Sequence, residues 1–252
     1  MFDFNNKVAI VTGSGSKKGI GIATADMLAR LGATVVICDL NQKDIDDNVK
    51  AIIESGGKAL GLKLDVTDEN SVNEMVDKVL SEYGHIDILV NVAGISQKIT
   101  VEYMELEDMK RIFNVNMYGV FLCTKAVLKI MKKQKYGRII TVSSVAGKRG
   151  GGIFGGPHYS ASKAAVLGFS KNLAREVAGE GITVNCVTPG LIETDIAKTL
   201  NEKEVGLLVK DIPMGRRGKT YEVAGAIAFL ASDEASYITG EEIDINGGSH
   251  MD

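Results

Sequence analysis

The sequence predicts one α/β domain over residues 1–252, a doubly wound, mostly parallel sheet with helices on both faces. Three observations carry that expectation. Short β-branched runs alternate with longer amphipathic segments along the chain, a glycine-rich stretch separates the first run from the first amphipathic segment, and no repeat, linker or low-complexity tract breaks the order. With 252 residues, 45% of them hydrophobic, the chain can bury a single large core.

Residues 8–11 form the first strand, an unbroken apolar run of the kind a parallel sheet covers on both faces. The first helix follows at residues 20–31 and the second strand at 34–38, closing on Asp39. A helix at 44–55, a strand at 60–64 closing on Asp65, a helix at 71–83 and a strand at 86–90 closing on Asn91 continue the alternation. One long helix is predicted over residues 106–134, a fifth strand over 138–142, the next helix over 160–179 and a sixth strand over 183–187. The tail adds a helix at 221–231 and a final strand at 242–245. Two stretches stay irregular: residues 148–157, rich in glycine, and residues 192–214, polar, amphipathic and closed by Pro213. Ligands of such sheets sit at the carboxyl ends of the strands, so these stretches are expected as a pocket wall and as a substrate lid at about residues 191–214.

Composition narrows the chemistry. A net charge of -3 with both signs interspersed gives no field for nucleic acid or an anionic membrane, which leaves small-molecule chemistry. The first residues carry no basic, apolar leader pattern and no run approaches about 18 apolar residues, so a soluble, cytoplasmic chain is expected. Cys38, Cys123 and Cys186 lie in apolar runs and read as reduced, buried thiols. Neither they nor the 3 His have ligand spacing, so no metal site is expected.

The spacing Tyr159-x-x-x-Lys163 puts a phenol and an ammonium on one helix face. A nearby ammonium favours the phenolate, so a hydroxyl with an ordinary pKa of roughly 10 is expected to become an acid or base near neutral pH, as proton exchange with a carbonyl oxygen requires. Upstream, Gly13, Ser14, Lys18, Gly19, Ile20 and Gly21 span the turn from the first strand into the first helix, where glycines let the backbone approach a diphosphate. Asp39 and Leu40 lie about twenty residues further on, where a carboxylate can accept hydrogen bonds from adenosine ribose hydroxyls. Asp65 with Val66, and Asn91 with Ala93 and Gly94, continue the line of strand tips into a cleft for adenosine.

In order and spacing these motifs, with Ser144 and Pro189-Gly190, resemble those of the short-chain dehydrogenase/reductase family across nearly the whole chain. Residues 174–185, Ile238-Thr239-Gly240 and Asn246-Gly247-Gly248 are most similar to its 3-oxoacyl-carrier-protein reductases. The resemblance implies a Rossmann-type fold and an NAD(P)-dependent oxidoreductase acting on CH–OH groups. By its implication Tyr159 is the catalytic acid or base, Lys163 lowers its pKa and bonds the nicotinamide ribose, and Ser144 holds the substrate oxygen. Asn116 would anchor a water in a proton relay, while Pro189, Gly190, Ile192 and Thr194 line the nicotinamide. The implied substrate is a small ketone or secondary alcohol, acyl thioesters included. The implied assembly is a homotetramer, with helices 106–134 and 160–179 pairing across a two-fold axis.

The chain departs from the family pattern in several places. Five residues separate Gly13 from Gly19 where three are usual, and Val92 replaces an asparagine. Lys18 resembles the basic residue that meets the 2'-phosphate of NADP, whereas Asp39 stands where that phosphate must go. Phosphate against carboxylate without a bidentate arginine is unfavourable, so NAD is expected over NADP. Lys132, Lys133, Lys135 and Arg138 suit an acidic carrier, but Glu180 opposes one. His158 is expected either in solvent or against a substrate hydroxyl. Two other readings stand beside the reductase: a catabolic dehydrogenase of a sugar, polyol or hydroxy acid, and a non-catalytic nucleotide-binding sensor on the same fold.

Overall fold

The computed structural model describes residues 2–151, 155–195 and 201–251. Its strands are β1 (Val8–Thr12), β2 (Thr34–Asp39), β3 (Lys58–Lys63), β4 (Ile88–Asn91), β5 (Gly137–Val142), β6 (Ile182–Pro189) and β7 (Glu242–Ile245). They form one sheet in the order β3-β2-β1-β4-β5-β6-β7, every pairing parallel. Strand order reverses between β1 and β4, which opens a crevice at their carboxyl ends.

Helices α1 (Ile20–Arg30), α2 (Gln42–Glu54) and α9 (Thr220–Ala231) cover one face of the sheet, and α3 (Glu69–Tyr83), α5 (Gly119–Gln134) and α7 (Pro157–Val177) the other. β1 is buried end to end and its side chains alternate between two cores. Ala9 and Val11 join Leu28, Ile227 and Leu230, while Val8 and Ile10 join Val76, Val127 and Val177. Each such valine, leucine or isoleucine contributes about 1.5–3 kcal/mol by leaving water, so the strand tips sit on a stiff platform.

The expected doubly wound sheet is present and is parallel throughout. The structure departs from the sequence reading at three places. The long helix expected over residues 106–134 is broken: α4 (Leu106–Phe113) runs into a π-helical turn (Asn114–Tyr118) before α5 begins. Two helices absent from the sequence reading are present, α6 (Val145–Arg149) after β5, whose last two residues enter the stretch expected to be irregular, and α8 (Glu202–Lys210) in the lid segment, the latter begun by a reciprocal Asn201–Glu204 capping box. Finally, α7 starts at Pro157 rather than residue 160; proline fits that first position because the N–H it lacks would have had no helical partner. Part of the expected lid, residues 196–200, and residues 152–154 of the glycine-rich stretch lie outside the described residues.

All three cysteines are free and buried, and burial pushes their thiols up. Among the described residues no helix is long and apolar enough to cross a membrane, and no cluster of His, Cys, Asp or Glu is arranged to hold a metal ion.

Candidate active site

A cavity of about 370 Å³ runs along the strand tips from Asp39 to Lys163, within the size range of small-molecule sites. Of the residues singled out from sequence, Gly13, Gly19, Ile20, Asp39, Leu40, Asp65, Val66, Ala93, Gly94, Ser144, Tyr159, Lys163, Pro189, Gly190, Ile192 and Thr194 line it. Ser14, Lys18, Gly21, Asn91 and Asn116 do not.

The glycine turn is held by close packing. Gly13 has φ +64, and a Cβ there would lie 2.7 Å from Cα of Ala93. A Cβ on Gly21 would fall 2.3 Å from the Gly13 carbonyl oxygen. Gly21 therefore acts on the cavity through the loop it lets approach. Ser14 also turns inward, contrary to its expected place at the phosphates: its Oγ donates to the Val11 carbonyl at 2.7 Å and accepts from the Cys38 N–H at 3.0 Å. The two extra residues bulge toward α2, where Lys17 pairs with Asp47 and Asn48 donates to the carbonyls of Ser14 and Gly15. Lys18 is exposed outside the cavity wall. Among the described residues no side chain caps α1, and its first turn holds no acidic residue, so its N–H groups are available to an anion.

At the adenosine end, Asp39 accepts from the N–H groups of Gly15 and Leu40, each at 2.7 Å. Its carboxylate is thus fixed at the cavity wall, and Asn41 takes the job of capping α2. Asp65 accepts from the N–H and hydroxyl of Thr67. Asn91 turns away, its amide donating to the Thr124 and Thr141 hydroxyls. The loop after β4 is instead organised by Thr12, whose Oγ1 accepts from the N–H groups of Val92 and Ala93.

At the other end, Ser144 caps α6, accepting from the Ala146 N–H at 3.1 Å, and hydrogen-bonds Tyr159. The Nζ of Lys163 donates to the Val142 carbonyl at 2.8 Å and lies 6.0 Å from the centroid of the Tyr159 ring. Burial pushes the Tyr159 hydroxyl up from its ordinary 10.0, with the Ser144 hydrogen bond opposing, and burial brings Lys163 down to about 8. Burial thus acts against the expected phenolate in the chain alone, where Tyr159 stands as a proton donor.

Asn116, on the π-helical turn, braces the site from behind. Its Oδ1 accepts from the Ile95 N–H at 2.9 Å, and its Nδ2 donates to the Ile95 carbonyl and the Ser162 hydroxyl, each at 3.0 Å. His158 is neither in solvent nor on the cavity wall: it is buried, with Nε2 3.1 Å from Oε1 of Gln97. Asn48, Ser16 and Asp195 were missed from sequence, since each acts through a distant partner with no fixed spacing. Ser16 lines the cavity and donates to Asp195 at 2.7 Å.

The donor set fits a nicotinamide dinucleotide: an uncapped helix start and close glycine backbone for a diphosphate, a fixed carboxylate for ribose hydroxyls, and a proton donor at the far end. A family model described as enoyl-(acyl carrier protein) reductase matches residues 13–250. The chain is 44% identical over 250 residues to 3-oxoacyl-(acyl-carrier-protein) reductase FabG of Escherichia coli, covering 99% of each chain. It is 45% identical over 245 residues to the Thermotoga maritima protein of the same name, covering 96% of this chain and 97% of that one. A crystal structure of 3-oxoacyl-(acyl-carrier protein) reductase from Brucella melitensis matches with a TM-score of 0.93 at 34% identity, over 99% of this chain and 93% of that one.

Proposed function

Because the chain belongs to the short-chain dehydrogenase/reductase family, we propose that it is an NAD(H)-dependent reductase interconverting a ketone and a secondary alcohol, with 3-oxoacyl thioesters as the substrate class. The hydrogen bond between Ser144 and Tyr159, beside Lys163, carries this reading. A carbonyl oxygen seated between the two hydroxyls receives a hydrogen bond from Ser144 and the proton of Tyr159 as negative charge develops on it. When bound, a nicotinamide dinucleotide supplies the hydride. Gly13, Gly19 and Ile20 would hold its diphosphate, Asp39, Leu40, Asp65 and Val66 its adenosine, and Lys163, Pro189, Gly190, Ile192 and Thr194 its nicotinamide half. Asn116 keeps the loop after β4 in register with α7, so that Lys163 and Tyr159 hold their places.

The preference for NAD(H) rests on Asp39, whose carboxylate would meet a 2'-phosphate while Lys18 stays outside the wall. Comparing kcat/KM for NADH and NADPH with acetoacetyl thioesters tests both cofactor and substrate. A higher value with NADPH would overturn the cofactor assignment.

One observation favours delivery without an acidic carrier. Lys132 pairs with Glu176 and Lys135 with Glu180, and Arg138 is buried against Asp233, which corrects its expected place on a docking surface. A free thioester, polyol or hydroxy acid then reaches the site unaided, so turnover of polyols with NAD and none of acetoacetyl thioesters would establish the catabolic reading instead. Exposed Tyr118 and Phe121 near the start of α5 support the homotetramer, which light scattering tests.

A further inference from the structure

We propose that Asp195 is a built-in competitor for the dinucleotide's diphosphate, latched to the glycine loop through Ser16. The proposal rests on the dinucleotide reading above. Ser16 lies in the lengthened loop between Gly13 and Gly19, just before α1, and is one of the few side-chain donors on that part of the cavity wall. Its hydroxyl donates at 2.7 Å to Oδ2 of Asp195, which follows Thr194 on the segment leaving β6. The bond spans 179 positions of sequence and joins the two walls between which a dinucleotide must lie.

Asp195 therefore does three things a bound diphosphate would do. It puts an anion on the loop that leads into the uncapped start of α1, it uses the loop hydroxyl, and it ties the far wall to the near one. Both cannot use the hydroxyl at once, and two anions side by side in a partly buried cleft repel each other. Cofactor entry must displace Asp195 from Ser16, freeing residues 190–195 from the loop. The latch lowers affinity for anything carrying a diphosphate and leaves affinity for the nucleoside alone unchanged, because Asp39 lies elsewhere on the wall.

Titration calorimetry of the full chain with NADH, ADP and adenosine tests this. Asp195→Asn is expected to tighten NADH and ADP by about tenfold, the scale of one charge-assisted hydrogen bond, with adenosine moving less than about twofold. In a Ser16→Ala background, where the latch is already gone, the same change is expected to move ADP less than about threefold. Unchanged or weaker ADP binding by Asp195→Asn overturns the proposal, as does an equal gain for adenosine, which marks a general opening of the cleft. A wild-type chain that binds neither NADH nor ADP refutes the dinucleotide reading itself.

Discussion

Lys163 donates from Nζ to the Val142 carbonyl at 2.8 Å while lying 6.0 Å from the centroid of the Tyr159 ring. A buried ammonium with a neutral carbonyl as its hydrogen-bond acceptor is costly, and its pKa falls from an ordinary 10.5 to about 8. Between those values the unfolded chain binds more protons than the folded one, so this lysine destabilises the fold below pH 8 and ceases to do so as pH rises through 10.5. Lys163→Met is expected to stabilise the ligand-free protein at pH 7 by on the order of 3 kcal/mol while abolishing turnover. Urea unfolding at pH 7, 9 and 10 should show that advantage shrinking; an advantage independent of pH would place the ammonium in water.

Tyr159 must be protonated to reduce a ketone and ionised to oxidise an alcohol. Its hydroxyl is pushed above the ordinary 10.0 by burial, so the reductive rate is expected to stay flat through neutral pH and the oxidative rate to climb with pH. Tyr159→Phe should cost about 10³-fold in kcat with NADH binding within about twofold of wild type. A reductive rate that rises with pH from 6 to 9 would show that another group gives the proton.

Gly21 has no room for a methyl group. The Cβ of Gly21→Ala would sit 2.3 Å from a backbone oxygen, so the loop must shift away from α1. Overpacking of this kind costs about 1–3 kcal/mol, and cofactor affinity should fall at least about tenfold because the donors for the diphosphate move with the loop. Thermal unfolding and NADH titration measure the two effects. Loss of stability with full NADH affinity would detach the glycine turn from cofactor binding.

The alternation of elements was legible because a parallel sheet buried on both faces demands unbroken apolar runs, as in β1, and strand tips follow from strand ends. Tyr159 and Lys163 were legible because their relationship is local, four residues apart on one helix. What stayed hidden was long-range. Nothing in the stretch around Asn116 announces a π-helical turn, since its i+3 and i+4 pattern continues on both sides. Ser14 looked like a phosphate ligand because loop residues carry no periodicity to say which way they face; its partners Val11 and Cys38 belong to two different strands. Spacing likewise reveals the charge beside Tyr159 but not the depth of its burial, which pushes the hydroxyl the other way.

The π-helical turn makes a sharp prediction at Asn116. A widened turn of this kind is frequent at functional sites, and here one carboxamide on it binds both polar groups of Ile95 and reaches Ser162 on α7. Asn116→Ala leaves the Ile95 N–H and carbonyl without those partners and is expected to cost about 2–4 kcal/mol of stability. Ser162→Ala removes one bond and should cost about 1 kcal/mol. If Asn116 acts by keeping Gly94 and Ile95 in place against Lys163, Asn116→Ala also lowers kcat by at least about tenfold, with KM for NADH changing less. Equal losses in kcat for the two variants, once both are shown folded at the assay temperature, would mean that the link to α7 matters and the clamp on Ile95 does not.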